Sequence, residues 1–309
     1  MEAFLSQLPQ QLVNGLTLGG VYALIALGYS MVFGVLKLLN FAHGDVYMVG
    51  AFIGFGVMSA FLDGAALTAP AILVVVIMFL AAMAGCGILG VGVERIAYRR
   101  LRRAPRIAAL ISALGMSFFI QNAVQLTLSA DFRAYQPQLL IPPGTGFDIL
   151  GVHISAIRAL AIVLAVVLMF LLHYLVQKSK LGKAMRAVAT DPEAATMMGV
   201  DVDRVIVATF FVGSALAGAA GVITGLVFIR VWHFMGFLAG LKGFVAAVIG
   251  GIGNIPGAML GGFILGLVET FAIGFVSATF RDVIAFAVLI LVLLLKPQGL
   301  LGARIPDRA

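Results

Sequence analysis

Nine apolar stretches divide the chain, over residues 12–36, 46–62, 67–93, 107–128, 155–177, 205–229, 237–252, 257–277 and 282–297. Most are long enough to cross a hydrocarbon layer of about 30 Å. Inside lipid a backbone must satisfy its own hydrogen bonds, so segments of this length and composition have one open solution, the helix. The stretches therefore predict an all-α polytopic membrane protein, a single transmembrane domain over 1–309, with eight or nine transmembrane helices, some of them made discontinuous by glycine. Composition agrees: 62% of the residues are hydrophobic and 11% charged, and the mean hydropathy is +1.13. Soluble domains lie well below that. Residues 1–9 carry no cationic segment and no cleavage site follows the first stretch, so no removable signal peptide is expected. Cys86, the only cysteine, falls inside a stretch and reads as a small packing residue.

Charge placement orients the chain. Most of its 20 Lys and Arg fall in three places. Arg95, Arg99, Arg100, Arg102, Arg103 and Arg106 lie in 94–106; Lys178, Lys180, Lys183, Arg186 and Arg204 lie in 178–204; Lys296, Arg304 and Arg308 lie at the end of the chain. The positive-inside rule makes 94–106, 178–204 and the tail 298–309 cytoplasmic, and 129–154, with Asp131, Arg133 and Asp148, an external loop. Basic residues confined to short loops beside spans report topology, and no nucleic-acid partner is expected from the net charge of +7.

One of these loops holds a segment of different character. In 190–204, Asp191 reads as an N-cap, Pro192 as the first helical residue and Gly199 as the left-handed residue past the end, which predicts a helix over 192–198. So short a helix is marginal by itself in water. Ala194, Met197 and Met198 recur at helical spacing and give it a small, adaptable apolar face suited to a partner's groove.

The apolar stretches are interrupted by polar residues in two related places. Asn40-Phe-Ala-His-Gly44 leads into Gly50-Ala-Phe-Ile-Gly54, and Asn254-Ile-Pro-Gly257 leads into Gly261-Gly-Phe-Ile-Leu-Gly266. Such paired breaks suggest an internal repeat and point to a transport pathway, because freed backbone groups are tolerated where they line a cavity. Counting spans puts both breaks toward the cytoplasmic side, which an inverted repeat allows only if one of them lies mid-membrane. The substrate-pathway candidates are Asn40, His43, Asp45, Tyr47, Asn254 and Pro256. Asn40 can cap the half-helix that follows, whose positive end would attract a carboxylate, and Asp45 can meet an amino group. The alternative is that these groups satisfy local backbone at the membrane boundary. His43 reads as a packing residue before a proton relay.

Other polar groups inside the stretches are fewer. Glu269 lies mid-span and Lys242 in the preceding stretch is its plausible partner, as an ion pair of structural or functional use. Gln121 and Gln125, a turn apart, can line a path or bond between helices. His153, His173 and His233 fit no metal spacing, and Trp232 reads as an interface anchor. Gly213, Ala217, Gly221 and Gly225 form a small-residue stripe for close helix packing.

Four stretches carry a family resemblance: Asn14-Gly-Leu-Thr-Leu-Gly-Gly-Val-Tyr-Ala-Leu-Ile-Ala-Leu-Gly-Tyr29, Leu39-Asn-Phe-Ala-His-Gly-Asp-Val-Tyr-Met-Val-Gly50, Ala109-Leu-Ile-Ser-Ala-Leu-Gly-Met-Ser117 and Ala247-Val-Ile-Gly-Gly-Ile-Gly-Asn-Ile-Pro-Gly-Ala258. From about residue 11 to 302 the chain resembles the permease subunits of bacterial branched-chain amino-acid ABC importers, the smaller of the two permeases in particular. Glu193-Ala194-Ala195 followed by Gly199 is similar to that family's coupling motif, and the resemblance implies that Asp191–Gly199 seats in a groove of an ATPase subunit. It further implies alternating access in a bacterial inner membrane and partners in two cytoplasmic ATPase subunits that bind ATP and Mg, a second homologous permease and an external solute-binding protein. Leucine, isoleucine and valine are the implied substrates; related permeases carry urea or short amides.

No phosphate-binding loop occurs, since Gly182-Lys183 is followed by Ala, so ATP hydrolysis by this chain is not expected. Neither is a catalytic residue, a resident cofactor or a metal: His-Glu-x-x-His is absent, and Ala42-His-Gly-Asp45 lacks the first glycine of the intramembrane aspartyl protease motif. A different class, an ion-coupled secondary transporter, would use Glu269 and Lys242 but has no need of the short capped helix.

Overall fold

The computed structural model describes residues 2–63, 66–102, 104–149 and 152–302, so Arg103, Arg304, Arg308 and the tail from 303 lie outside the described residues. Every apolar stretch becomes a helix. Helix α1 (Glu2–Leu36) is followed by α2 (His43–Ala60), the short strands β1 (Leu62–Asp63) and β2 (Ala66–Leu67), and α3 (Ala71–Val93). A π-turn, Glu94–Tyr98, and a tighter turn, Arg99–Leu101, prolong α3 toward α4 (Arg106–Leu128). Then come β3 (Arg133–Ala134), α5 (Pro137–Leu140), the hairpin β4 (Gly146–Ile149) and β5 (Val152–Ser155), and α6 (Ala156–Lys178). Two short helices, α7 (Lys180–Thr190) and α8 (Pro192–Met197), precede α9 (Val202–Phe228) and β6 (Arg230–Val231). Helices α10 (Met235–Gly250), α11 (Ile255–Phe275) and α12 (Arg281–Leu295) complete the bundle.

Seven helical segments among the described residues are long and apolar enough to cross a membrane: 7–36, 71–101, 107–128, 156–178, 202–228, 255–275 and 278–295. The chain is a multi-pass membrane protein. The two remaining stretches form α2, which brings His43 and Asp45 into its first turn, and the 16-residue α10. Both are largely buried, because their polar and backbone groups need protein rather than lipid around them.

Helices α1 and α9 make the centre, each with 78% of its membrane segment buried, whereas only 6% of α12 is buried. On the periphery Phe118, Phe170 and Leu294 face outward. Lipid is as apolar as these side chains, so association rests on close packing between helices. The stripe of α9 supplies it: a Cβ on Gly221 would lie 2.6 Å from the Ala51 nitrogen of α2, and one on Gly213 would lie 3.3 Å from Gly28 of α1. Helices α2 and α10 cross at Gly44 and Gly240, where a Cβ on either would come within 2.7 Å of the other's Cα.

Both breaks, 37–42 and 251–254, lie at one face, with Gly34 and Gly253 side by side. The two breaks therefore share one side of the bundle. Helices α7 and α8 and the segment 296–302 share that face, where Leu300 and Leu301 donate to the carbonyls of Ile249 and Gly250 at 2.8 and 3.0 Å. We call it the basic face. The short strands lie opposite. There β3 pairs antiparallel with β6, and the following Tyr135 tucks its ring under Gly225 and donates to the Ala51 carbonyl at 2.6 Å. Burial, with Tyr47 close by, holds the Tyr135 phenol above its usual range, so it remains a neutral donor.

Candidate coupling helix and polar core

The basic face carries an elbow of two helices. Ser179 starts α7 by accepting from the Gly182 N–H at 2.9 Å, and α7 buries Gly182, Met185 and Val188 while Lys180 and Lys183 face out and Arg186 donates to the Val176 carbonyl of α6. Helix α8 turns back from it. One oxygen of Asp191 accepts from the N–H groups of Glu193 and Ala194, at 2.9 and 3.1 Å, satisfying donors that a helix start leaves free. Gly199 closes the other end at φ +82, a left-handed position that a side chain would strain. Met198 is the cap residue, one beyond the helix proper. Ala195 turns inward and is buried; Ala194 is exposed, and Met197 and Met198 are 88% and 84% exposed. The small apolar face points away from the rest of the chain.

The residues after α8 tie it to α3. Asp201 caps α9 through the Arg204 N–H at 3.1 Å. Asp203 accepts from Arg99 at 3.1 Å and from Arg102 at 2.5 Å, and Arg102 also meets Glu94, a fully buried carboxylate in the π-turn. Reading these arginines only as topology signals misses their partners. The available signals were a lone acid, Glu94, at the head of the arginine run, and Asp203 in the first turn of α9.

The polar residues of the first break part company. Asn40 does not cap α2: that helix begins at His43, its N-cap position is Ala42 with no side-chain bond, and the Asn40 side-chain Oδ1 accepts from the Tyr98 hydroxyl at 3.3 Å. Two further residues lie between Asn40 and the helix, which puts its side chain out of capping reach. Asp45 has both oxygens engaged by α4, with Ser117 at 2.5 Å and Gln121 at 2.8 Å, and is 1% exposed. It pins two helices. His43 stands edge-on to Tyr29, centroids 4.9 Å apart, and fills the space beside Gly28. Tyr47 alone of these four lines a cavity. At the second break Asn254 caps α11 by accepting from the Gly257 N–H at 3.0 Å and donates to the Leu301 carbonyl at 2.6 Å; Pro256 occupies the helix's first turn.

Lys242 and Glu269 meet at 2.6 Å. Asp282 lies 2.7 Å from the same ammonium, Tyr22 donates to the second Glu269 oxygen at 2.8 Å, and Arg281 stands 3.9 Å from Glu269. Elsewhere Gln125 is exposed, His153 meets Asp148 at 2.9 Å on the β4–β5 hairpin, and Trp232 packs on Phe132 with centroids 5.7 Å apart. Among the described residues no group of three or more His, Cys, Asp or Glu is placed to hold a metal ion.

Comparison with known proteins decides the family. The family described as branched-chain amino acid transport system / permease component matches residues 11–293. The chain belongs to this permease family. It is 42% identical over 297 residues, 95% of each chain, to the high-affinity branched-chain amino acid transport system permease protein LivH of Salmonella typhimurium, and equally to LivH of Escherichia coli. Against the corresponding permease protein BraD of Pseudomonas aeruginosa the identity is 44% over 296 residues, again 95% of each. No solved structure matches. A permease is a translocation subunit rather than an enzyme, and among the described residues this one carries its polar groups as helix caps, helix pins and charged cavity linings.

Proposed function

We propose that this permease imports branched-chain amino acids, leucine, isoleucine and valine, as the membrane core of an ATP-driven importer. The observation that carries the reading is α8: a capped helix on the basic face whose exposed methionines have no other use in the chain. Its occupant is the groove of an ATPase subunit that binds ATP and Mg, and two such subunits serve a core of this chain and a second homologous permease. The basic face is cytoplasmic, with the C-terminus on that side of a bacterial inner membrane, and the strand-bearing face receives cargo from an external solute-binding protein. Support for the orientation comes from the Lys and Arg gathered at 95–106, 178–186 and 296. Family membership speaks against a self-sufficient ion-coupled carrier, and the named relatives favour branched-chain amino acids over urea or amides.

Nucleotide-driven closure of the ATPases would move α8, and Asp203 would pass that movement through Arg99 and Arg102 to the end of α3. The test is ATP-driven uptake of radiolabelled leucine into vesicles holding the complete complex. Glu193→Arg reverses a charge on the docking helix, and Gly199→Pro demands φ near −65° where the chain has +82. Both variants are expected to reach the membrane and lose uptake by about tenfold or more. Wild-type uptake in both, or uptake by the permease without ATPases, would refute the coupling.

A further inference from the structure

A cavity of about 290 Å³ lies among α1, α2, α9, α10, α11 and the start of α12, and the exposed Arg230 and Arg281 are part of its lining. Its lining is of two kinds. One side is charged, and holds Lys242, Glu269 and Arg281, with Asp282 on the same ammonium. The rest is mostly apolar: Leu238 and Ile273 lie one helical turn from Lys242 and Glu269 on the same helices, Leu18 and Val21 come from α1, and Phe228 and Trp232 add aromatic surface. A purely structural ion pair in a membrane is best sealed by close packing, since open space beside it forgoes contacts and leaves polar atoms to be hydrated. Here the pair borders open volume, and the branched side chains of Leu238 and Ile273 adjoin it one helical turn away.

The charges balance. Within the ion-paired cluster two cations, Lys242 and Arg281, stand against two carboxylates, Glu269 and Asp282, while Arg230, the third cation of the lining, lies 6.0 Å over the Phe132 ring. A zwitterion can therefore enter without changing the net charge: its ammonium replaces that of Lys242 at Glu269, and its carboxylate takes up Lys242 and Arg281. Tyr22 keeps the second Glu269 oxygen hydrogen-bonded at 2.8 Å throughout, which fixes the carboxylate's orientation. A free amine or a free acid would leave one charge unmatched in a low-dielectric site, at a cost that a neutral zwitterion avoids.

We infer that this cavity is a transit site for an α-amino acid with a branched apolar side chain. Glu269 receives the α-ammonium, Lys242 and Arg281 receive the α-carboxylate, and Leu18 and Ile273 border the side chain. The inference rests on the importer reading and adds to it a recognition step inside the permease.

The test uses the complete complex in proteoliposomes on a Cys86→Ala background, with Ile273→Cys, and separately Leu238→Cys, as a reporter in the cavity wall. A small charged thiol reagent is added with L-leucine, with isoamylamine, which lacks the carboxylate, or with isocaproate, which lacks the ammonium. Leucine is expected to slow labelling several-fold and the two fragments to leave it unchanged. Lys242→Met with Glu269→Gln removes both charges together; it is expected to assemble with the ATPases, to lose the leucine protection and to lose uptake about tenfold or more. Equal protection by all three compounds, or wild-type uptake in the double variant, overturns the site. A complex that imports leucine while leucine leaves labelling unchanged also overturns it, and leaves the importer reading intact. Leucine protection in a complex that imports no leucine supports the site and overturns the importer reading.

Discussion

At the scale of single residues, a charge within the membrane costs according to what else surrounds it. Lys242→Met leaves Glu269, 2% exposed, with only Tyr22 and a distant Arg281, and removes the ammonium from Asp282. Breaking a buried pair from one side costs about 3–5 kcal/mol, so thermal unfolding in detergent is expected at a clearly lower Tm. Adding Glu269→Gln should recover most of the loss. The Glu94 network divides in the same way. Arg102→Ala strands a fully buried carboxylate and should cost about 3–5 kcal/mol. Asp203→Ala removes a half-exposed partner, and its effect on Tm should correspond to about 1 kcal/mol or less. Equal losses in these two variants would show that the buried acid is not what Arg102 serves.

At the scale of elements, α8 is held by its ends. It has six residues, too few to persist in water alone, and its start depends on one Asp191 oxygen. Asp191→Ala is expected to cost the helix about 0.5–2 kcal/mol, read as faster amide exchange confined to 192–198 while α7 and α9 keep their protection. Loss of protection in α9 as well would mean that Asp191 supports the α8–α9 junction rather than the short helix. Asp191, Pro192 and Gly199 were legible in sequence because capping and left-handed closure are local chemistry. The neighbouring α7 was missed, because the basic residues of 178–186 read only as topology, although Leu181, Met185 and Val188 recur at helical spacing. Asn40 misled for the converse reason: a capping residue type does not say where the next helix begins.

At the scale of the whole molecule, the two breaks stand together on the basic face, so cysteines placed there must share a side of the membrane. Lys37→Cys, Gly253→Cys and Met198→Cys should all react with an impermeant thiol reagent added from one side, and Asp148→Cys only with reagent from the other. Labelling of Lys37→Cys and Gly253→Cys from opposite sides would place the two breaks at opposite faces. The sequence by itself determined the helical class, the nine apolar segments, the basic side and the short capped helix at 192–197. Each follows from hydropathy over a bilayer's thickness or from chemistry within a few residues of the chain. It also singled out Lys242 and Glu269, since a charge in an apolar stretch stands out wherever it goes. Only the tertiary structure decided that Asp45 is sealed by Ser117 and Gln121, that Glu94 answers Arg102, and that the Lys242 cluster borders a cavity. In lipid every outward face is equally apolar, so the pattern along a helix does not reveal which face meets which neighbour; that is fixed by where small residues such as Gly44, Gly221 and Gly240 let backbones touch.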